Sequence, residues 1–137
     1  MQDDSISFQL NRISRKISQL LSNCFEPYGI TPEQWAVLQR LQGANGISQK
    51  ELAQRVEKDQ TNLTRILDQL ERKGLITKKK NESDRRSYLT YSTEKGEQLS
   101  RQLAPVEDKI FAELLDGLTS SRVAVFLEVL AHLWQKA

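Results

Sequence analysis

Residues 48–91 read SQKELAQRVEKDQTNLTRILDQLERKGLITKKKNESDRRSYLTY, and this stretch decides the fold. Ser48 with Glu51 three positions on is a capping box, opening a short helix to about Val56 with Leu52, Ala53 and Val56 inward. Asp59 caps a second helix that runs to Lys73, and Gly74 suits the left-handed residue that ends it. Leu63, Ile66, Leu67 and Leu70 fall at i, i+3, i+4 and i+7 and form one apolar stripe. Leu75 to Lys79 and Arg86 to Ser92 have the β-branched and aromatic content of strands, with Asn81 to Asp84 as the turn between them. Two helices joined by a tight turn and followed by a charged hairpin are therefore expected.

Working outward, Ser5 to Phe25 is a long helix. Its seam Ile6, Leu10, Ile13, Ile17, Leu20 and Cys24 alternates steps of four and three, a heptad pattern. Pro27, Tyr28 and Gly29 end it. Thr31-Pro32-Glu33-Gln34 opens the next helix, with Thr as cap, Pro in the first position and Gln able to reach back. Trp35, Leu38 and Leu41 give that helix its buried face. Beyond the hairpin, Thr93 begins a helix to about Asp116. Pro105 lies inside it and is expected to kink or split it near Arg101 to Ala104. After Gly117 to Ser120, a last helix carries Val123, Phe126, Leu127, Leu130, Leu133 and Trp134 on its apolar side. The first and the last two helices are too amphipathic to stand alone, which predicts a homodimer held by the terminal helices.

The composition agrees with one globular domain. A chain of 137 residues, 38% hydrophobic and 28% charged, buries roughly two-thirds of its unfolded surface if it folds alone. No apolar run approaches the ~20 residues that span a bilayer. The acidic start MQDDSISFQL lacks the layout of a signal peptide, and the single Cys24 cannot form an internal disulfide. A cytoplasmic protein with no membrane partner is expected. The net charge is +2, but residues 31–96 carry thirteen Lys/Arg against nine Asp/Glu, a balance of +4. Five of those cations lie between Lys78 and Arg86. A positive centre suits a polyanion, although a charge run can equally be a solvated turn.

The polar side of the Asp59–Lys73 helix favours the polyanion. Gln60, Thr61, Thr64, Arg65 and Asp68 project opposite the apolar stripe, with Asn62 on the flank. Gln and Asn can pair with adenine, Arg with guanine O6 and N7, and Thr with a thymine methyl. They sit in the first turns, where a recognition helix meets base edges. An arginine at the hairpin tip can enter the adjacent minor groove; Arg85 and Arg86 are placed for this, with Asp84 able to hold one guanidinium. Lys78, Lys79 and Lys80 are candidates for phosphate contact, although alternate strand residues face opposite ways.

The order of elements and the phrases LAQRVEKDQTNLTRILDQLERKGLI and ESDRRSYLTYSTEKG resemble the MarR family of winged-helix regulators of transcription. Asp84-Arg85-Arg86, followed by the Leu-Thr-X-X-Thr-X-X-Gly form of Leu89 to Gly96, is the strongest marker. The resemblance covers essentially the whole chain. It implies a mainly α fold with a small β-hairpin wing: a winged helix-turn-helix lobe over 31–96, with 1–30 and 97–137 as dimerisation helices. It further implies a homodimer that binds double-stranded DNA at a pseudo-palindromic operator; repression is the expected sign, since a compact dimer offers no evident surface for contacting polymerase. By position, Asp59 to Arg65 would begin the recognition helix, Arg86 would be the minor-groove arginine, and Ser48 and Gln49 would approach phosphates. Pro105 is a departure from the family pattern. The resemblance also implies release by a small anionic or lipophilic effector, for which Arg12, Arg15, Phe25, Tyr28 and Trp35 could line a crevice. The stronger reading, however, is that Phe25 and Trp35 are core and the arginines solvated.

Three other readings bear on the sequence. One histidine (His132), one cysteine, no metal-ligand spacing and no phosphate-cradling loop argue against an enzyme, a metal site or a cofactor. A winged helix used only to bind proteins would show an apolar interface rather than exposed Gln and Arg. A cysteine-based redox sensor is the third reading, but Cys24 falls on the heptad seam, where a cysteine is usually a small buried hydrophobe.

Overall fold

The computed structural model describes residues 5–44 and 46–137. The first helix, α1 (Ile6–Phe25), is capped by Ser5, whose hydroxyl accepts from the Phe8 N–H at 3.2 Å. A 3₁₀ turn (Glu26–Tyr28) follows, and Gly29 closes it at φ 69°. Helix α2 (Pro32–Leu41) begins with the full capping box expected for Thr31 and Gln34. A two-residue strand, β1 (Ile47–Ser48), leads into α3 (Gln49–Val56). Here only half of the expected box forms: Ser48 caps the Glu51 N–H, while the Glu51 carboxylate turns outward to Arg55 at 3.0 Å. Glu57, at φ 56°, ends α3 in the left-handed region without a glycine.

Helix α4 (Gln60–Arg72) is capped by Asp59, which accepts from the Asn62 N–H at 2.7 Å. It is followed by β2 (Ile76–Lys80) and β3 (Tyr88–Ser92), which pair antiparallel with Lys78 opposite Thr90. The expected hairpin is part of a three-stranded sheet in the order β1-β3-β2, because Ile47 pairs with Thr90 and Ser48 with Leu89. A two-residue strand has too little alternation to be seen in sequence. The last helices are α5 (Glu94–Leu114) and α6 (Ser120–Lys136). The fold is mainly α with a small antiparallel sheet.

The chain divides into two compact units at Pro105. The first has its core where the sequence stripes converge: Phe25, Trp35, Leu38, Leu41, Leu52, Leu63, Ile66, Leu67, Leu70, Ile76 and Leu103 are buried. The second unit holds the end of α5 and all of α6. Thr119 caps α6, accepting from the Arg122 N–H at 3.2 Å, and among its residues only Val123 is half-buried. Pro105 does not split α5: Glu94–Leu114 is one helix. Proline removes a single backbone donor, and a long helix tolerates that where the orphaned carbonyl reaches water.

The entrance of α5 is pinned to the start of the sheet. The Thr93 N–H donates to Leu75 O at 3.0 Å and its hydroxyl to Gly74 O at 2.7 Å, while the same hydroxyl accepts from the Gly96 N–H at 3.1 Å. A Cβ on Gly96 would lie 2.2 Å from Leu75 O and 2.7 Å from Ser92 Oγ. Alanine normally favours a helix interior over glycine by about 1 kcal/mol. Here the backbone oxygen cannot move without breaking the Thr93 bond, so the clash should win. Gly96→Ala is expected to lose about 1–3 kcal/mol in urea unfolding; a variant as stable as the parent would contradict this close approach.

Candidate nucleic-acid interface

The apolar stripe of α4 is sealed: Leu63, Ile66, Leu67 and Leu70 are each 0% exposed. That seating turns the opposite face outward, and Gln60, Thr61, Thr64 and Arg65 are all exposed. The buried side is also held by a polar pin. Gln34, on α2 and only 4% exposed, accepts from the Lys73 ammonium at 2.6 Å and donates to Gln69 Oε1 at 3.0 Å. Lys73 also donates to Gly29 O at 2.7 Å. Burial pushes its pKa below the ordinary lysine value, since desolvation disfavours the ammonium. Gln34 was legible as a capping residue, but its link to α4 lies 35 positions away and left no local signal.

The outward face divides into occupied and open groups. Gln49 of α3 donates to the Thr64 hydroxyl, which itself donates to Gln60 O at 2.7 Å, so these two candidates bind each other. Asn62 Oδ1 accepts from Arg65 Nη2 at 2.6 Å, and the same nitrogen lies 3.3 Å from a Glu33 carboxylate oxygen on α2. Asp59 spends its carboxylate on the helix cap. Ser48 accepts from the Glu51 N–H but keeps its own O–H to donate outward. The Gln60 and Thr61 side chains carry no hydrogen bond among the described residues, and remain open at the first turn of α4.

The wing behaves similarly. Lys78 is turned inward, its side chain 18% exposed, and it pairs with Asp68 on the polar face of α4. This ties the strand to the helix and draws Lys78 away from the exposed positions expected of a phosphate contact. Lys79 lies over the Tyr91 ring at 4.9 Å, and Lys80 is exposed. The tip is built by two side-chain turns: Asn81 Oδ1 accepts from the Ser83 N–H, and Asp84 Oδ1 from the Arg86 N–H, each at 3.0 Å. Asp84 therefore shapes the Arg86 backbone and does not clamp a guanidinium as its charge suggested. A short carboxylate satisfies a neighbouring amide more readily than it reaches a long, mobile arginine. Arg85 and Arg86 stand exposed on either side of that turn, without an ion pair among the described residues.

The five crevice candidates do not come together. Phe25 and Trp35 are core residues at 0% and 3% exposure, packed edge to face with ring centroids 6.3 Å apart. Arg12 lies over the Phe8 ring at 5.7 Å, and Arg15 is exposed on α1. Arg12 lines one cavity, of about 730 Å³, with Lys16, Gln9, Ile6, Leu10 and Ile13, whereas Tyr28 borders a separate basic cavity of about 470 Å³, whose wall also includes Gly29, Arg72, Lys73, Lys95, Gln98, Gln102, Leu75 and Leu99. Cys24 is half-buried on α1. Among the described residues, no cluster of His, Cys, Asp and Glu could hold a metal ion, and no helix is long and apolar enough to cross a membrane.

This arrangement of a helix-turn-helix, a winged sheet and flanking helices is shared with known proteins. The sequence model of the MarR family matches residues 30–88. The MepR–DNA complex of S. aureus has a TM-score of 0.93 at 22% identity, covering 98% of this chain and 100% of that one. The reduced form of MarR from E. coli gives 0.79 at 28%, covering 97% and 98%. A variant of E. coli MarR complexed with operator DNA gives 0.87 at 29%, covering 93% and 92%. Residues 30–88 thus carry a match to the MarR family, a family of winged-helix transcriptional regulators and not of enzymes.

Proposed function

We propose that this chain is a cytoplasmic, sequence-specific regulator that binds double-stranded DNA as a homodimer and represses by occupying its operator. The observation that carries this reading is the first turn of α4. A helix sealed on one side presents open Gln60 and Thr61, with Arg65 one turn on, beside a wing tip bearing exposed Arg85 and Arg86. Gln60, Thr61, Asn62, Thr64 and Arg65 are assigned to the major groove. The helix N-terminus adds its positive dipole end toward the phosphates. Ser48, Gln49 and Lys80 are assigned to the backbone, and Arg86 with Arg85 to the minor groove. Lys78 acts indirectly, by fixing the wing against α4 through Asp68. The MepR and E. coli MarR structures that hold DNA support this assignment by fold.

The dimer rests on what the terminal helices leave uncovered. Ile6 of α1 is 75% exposed, and on α6 Leu127 is 58% and Trp134 67% exposed, with Val125, Phe126, Leu130 and Leu133 exposed on the same helix. Burying a side chain of this size is worth about 1.5–3 kcal/mol, so covering a handful exceeds the cost of associating two chains. A second copy supplies the same apolar faces and sets two recognition helices about one turn of duplex, ~10 bp, or a multiple of it apart. Light scattering is expected to return twice the chain mass of 15.8 kDa. Duplex binding should weaken steeply with salt, in proportion to the phosphates neutralised. A monomer at micromolar concentration would remove the dimer, and affinity indifferent to salt would remove the DNA reading.

The effector is assigned to the basic cavity rather than to the Arg12–Trp35 crevice. Arg72, Lys73 and Lys95 converge there without an acidic neighbour on its wall, and Leu75 and Leu99 supply apolar surface. That combination suits a small amphiphilic anion. Lys73 and Gly29 are already joined across it, so an anion would draw on the contacts that hold the end of α4. Benzoate is expected to bind by calorimetry and to displace duplex, with Lys95→Glu losing both effects. Displacement by benzoate that survives this substitution would place the effector elsewhere.

A further inference from the structure

Arg65 stands where a base-reading arginine is required, yet its guanidinium is engaged within the chain. Nη2 donates to Asn62 Oδ1 at 2.6 Å and reaches Glu33 Oε2 at 3.3 Å. Glu33 is the second residue of α2, and its backbone is fixed by the Thr31–Gln34 capping box and by Pro32. A carboxylate is favoured there by the positive end of the helix dipole. The Gln34–Gln69 bond holds that end of α2 against α4, so the carboxylate is presented by a rigid turn. The two side chains are 52% and 56% exposed, and ion pairs this wet add little to stability. Holding the fold together is thus a poor account of the pair.

We propose that Glu33 is a positioning residue that sets sequence discrimination, its carboxylate standing in for a DNA phosphate on Arg65. The inference rests on the DNA-binding reading above. In a duplex of arbitrary sequence Arg65 would meet phosphate, which must compete with Glu33 and leaves two anions beside one cation. A guanine edge is different. Its O6 and N7 are neutral acceptors, and a free N–H of Nη1 or Nε can reach one of them while Glu33 keeps its contact with Nη2. Glu33 therefore penalises the phosphate contact more than the base contact. It lowers binding to the excess of wrong sites, the quantity on which a regulator's selectivity depends.

The test compares wild type, E33Q, R65A and the double variant by fluorescence anisotropy across a range of KCl. One probe is a duplex selected by the wild-type protein from a randomised pool, and the other is its shuffled counterpart. E33Q keeps the shape and the hydrogen-bonding oxygen but removes the charge. It should bind the shuffled duplex about 3–10-fold tighter, with a salt slope steeper by about one unit per lobe. The selected duplex should gain less, so the ratio of the two affinities falls, while the melting temperature stays at the wild-type value. In the R65A background E33Q should change nothing. An equal gain in that background would mean that Glu33 repels phosphates directly, and unchanged shuffled-duplex binding would mean that it restrains nothing; either result overturns the proposal. Wild-type protein that selects no duplex would remove the DNA reading and this inference together. Wild-type selection with a silent E33Q removes the inference alone.

Discussion

Everything at the surface of this molecule depends on the burial of one stripe of α4. Leu63, Ile66, Leu67 and Leu70 are fully removed from water among the core residues of α1–α3 and the sheet. At about 1.5–3 kcal/mol for each such side chain, the stripe outweighs any single surface contact the helix makes. A rotation of α4 by one position would expose these residues and bury Arg65 or Asp68, at a cost no hydrogen bond on the outer face could offset. Hydrophobic burial therefore sets the direction of the polar face, and the Gln34–Gln69–Lys73 pin fixes the far end of the helix.

That polar face is not idle before a partner arrives. Thr64 is tied to Gln49, Arg65 to Asn62 and Glu33, and Lys78 to Asp68. Thr64 and Gln49 would meet DNA by exchanging one partner for another, while Lys78 keeps Asp68 and Arg65 keeps Glu33, and the net gain from an exchanged hydrogen bond is small compared with its gross strength. Such a surface discriminates by the quality of the replacement. A correct base restores every bond given up, whereas a wrong base leaves a donor or acceptor unpaired. Gln60 and Thr61 have nothing to give up and contribute without that exchange. The internal contacts also restrict rotamers in advance, reducing the ordering cost on binding.

The legible and illegible parts of the structure divide by range. Helix starts at Ser5, Thr31, Ser48 and Asp59 were readable because a cap and its partner lie three residues apart. The stripes were readable because they repeat every turn, and the family resemblance rested on the contiguous wing segment from Asp84 to Gly96. Contacts that cross the fold left no such mark. Nothing near Glu33 announces Arg65, and nothing near Ile47 announces Thr90. Residue type also misled where a side chain had two uses. Asp84 read as a clamp for arginine but builds the turn, and Lys78 read as a phosphate contact but pairs inward, whereas Phe25 and Trp35 take the core places that were their stronger reading. Pro105 read as a kink or a split, and α5 runs through it unsplit.

The terminal helices extend the same reasoning from one chain to two. In α6 apolar residues occupy more of the circumference than one stripe, and only Val123 is even half-buried. An isolated helix of 17 residues is only marginally stable in water, and this one exposes Phe126 and Trp134 at a solubility cost that polar residues would avoid. Such a sequence is consistent with a native state in which these faces are covered, and the proposed second copy covers them with an identical set. The wing and α4 then need not provide high affinity alone. Two lobes joined in the proposed dimer would engage two half-sites as one event, so modest discrimination at each lobe would multiply across the pair. On that reading, the apolar surplus of α6 and the restrained polarity of α4 serve one end: weak, selective contacts made decisive by being made twice.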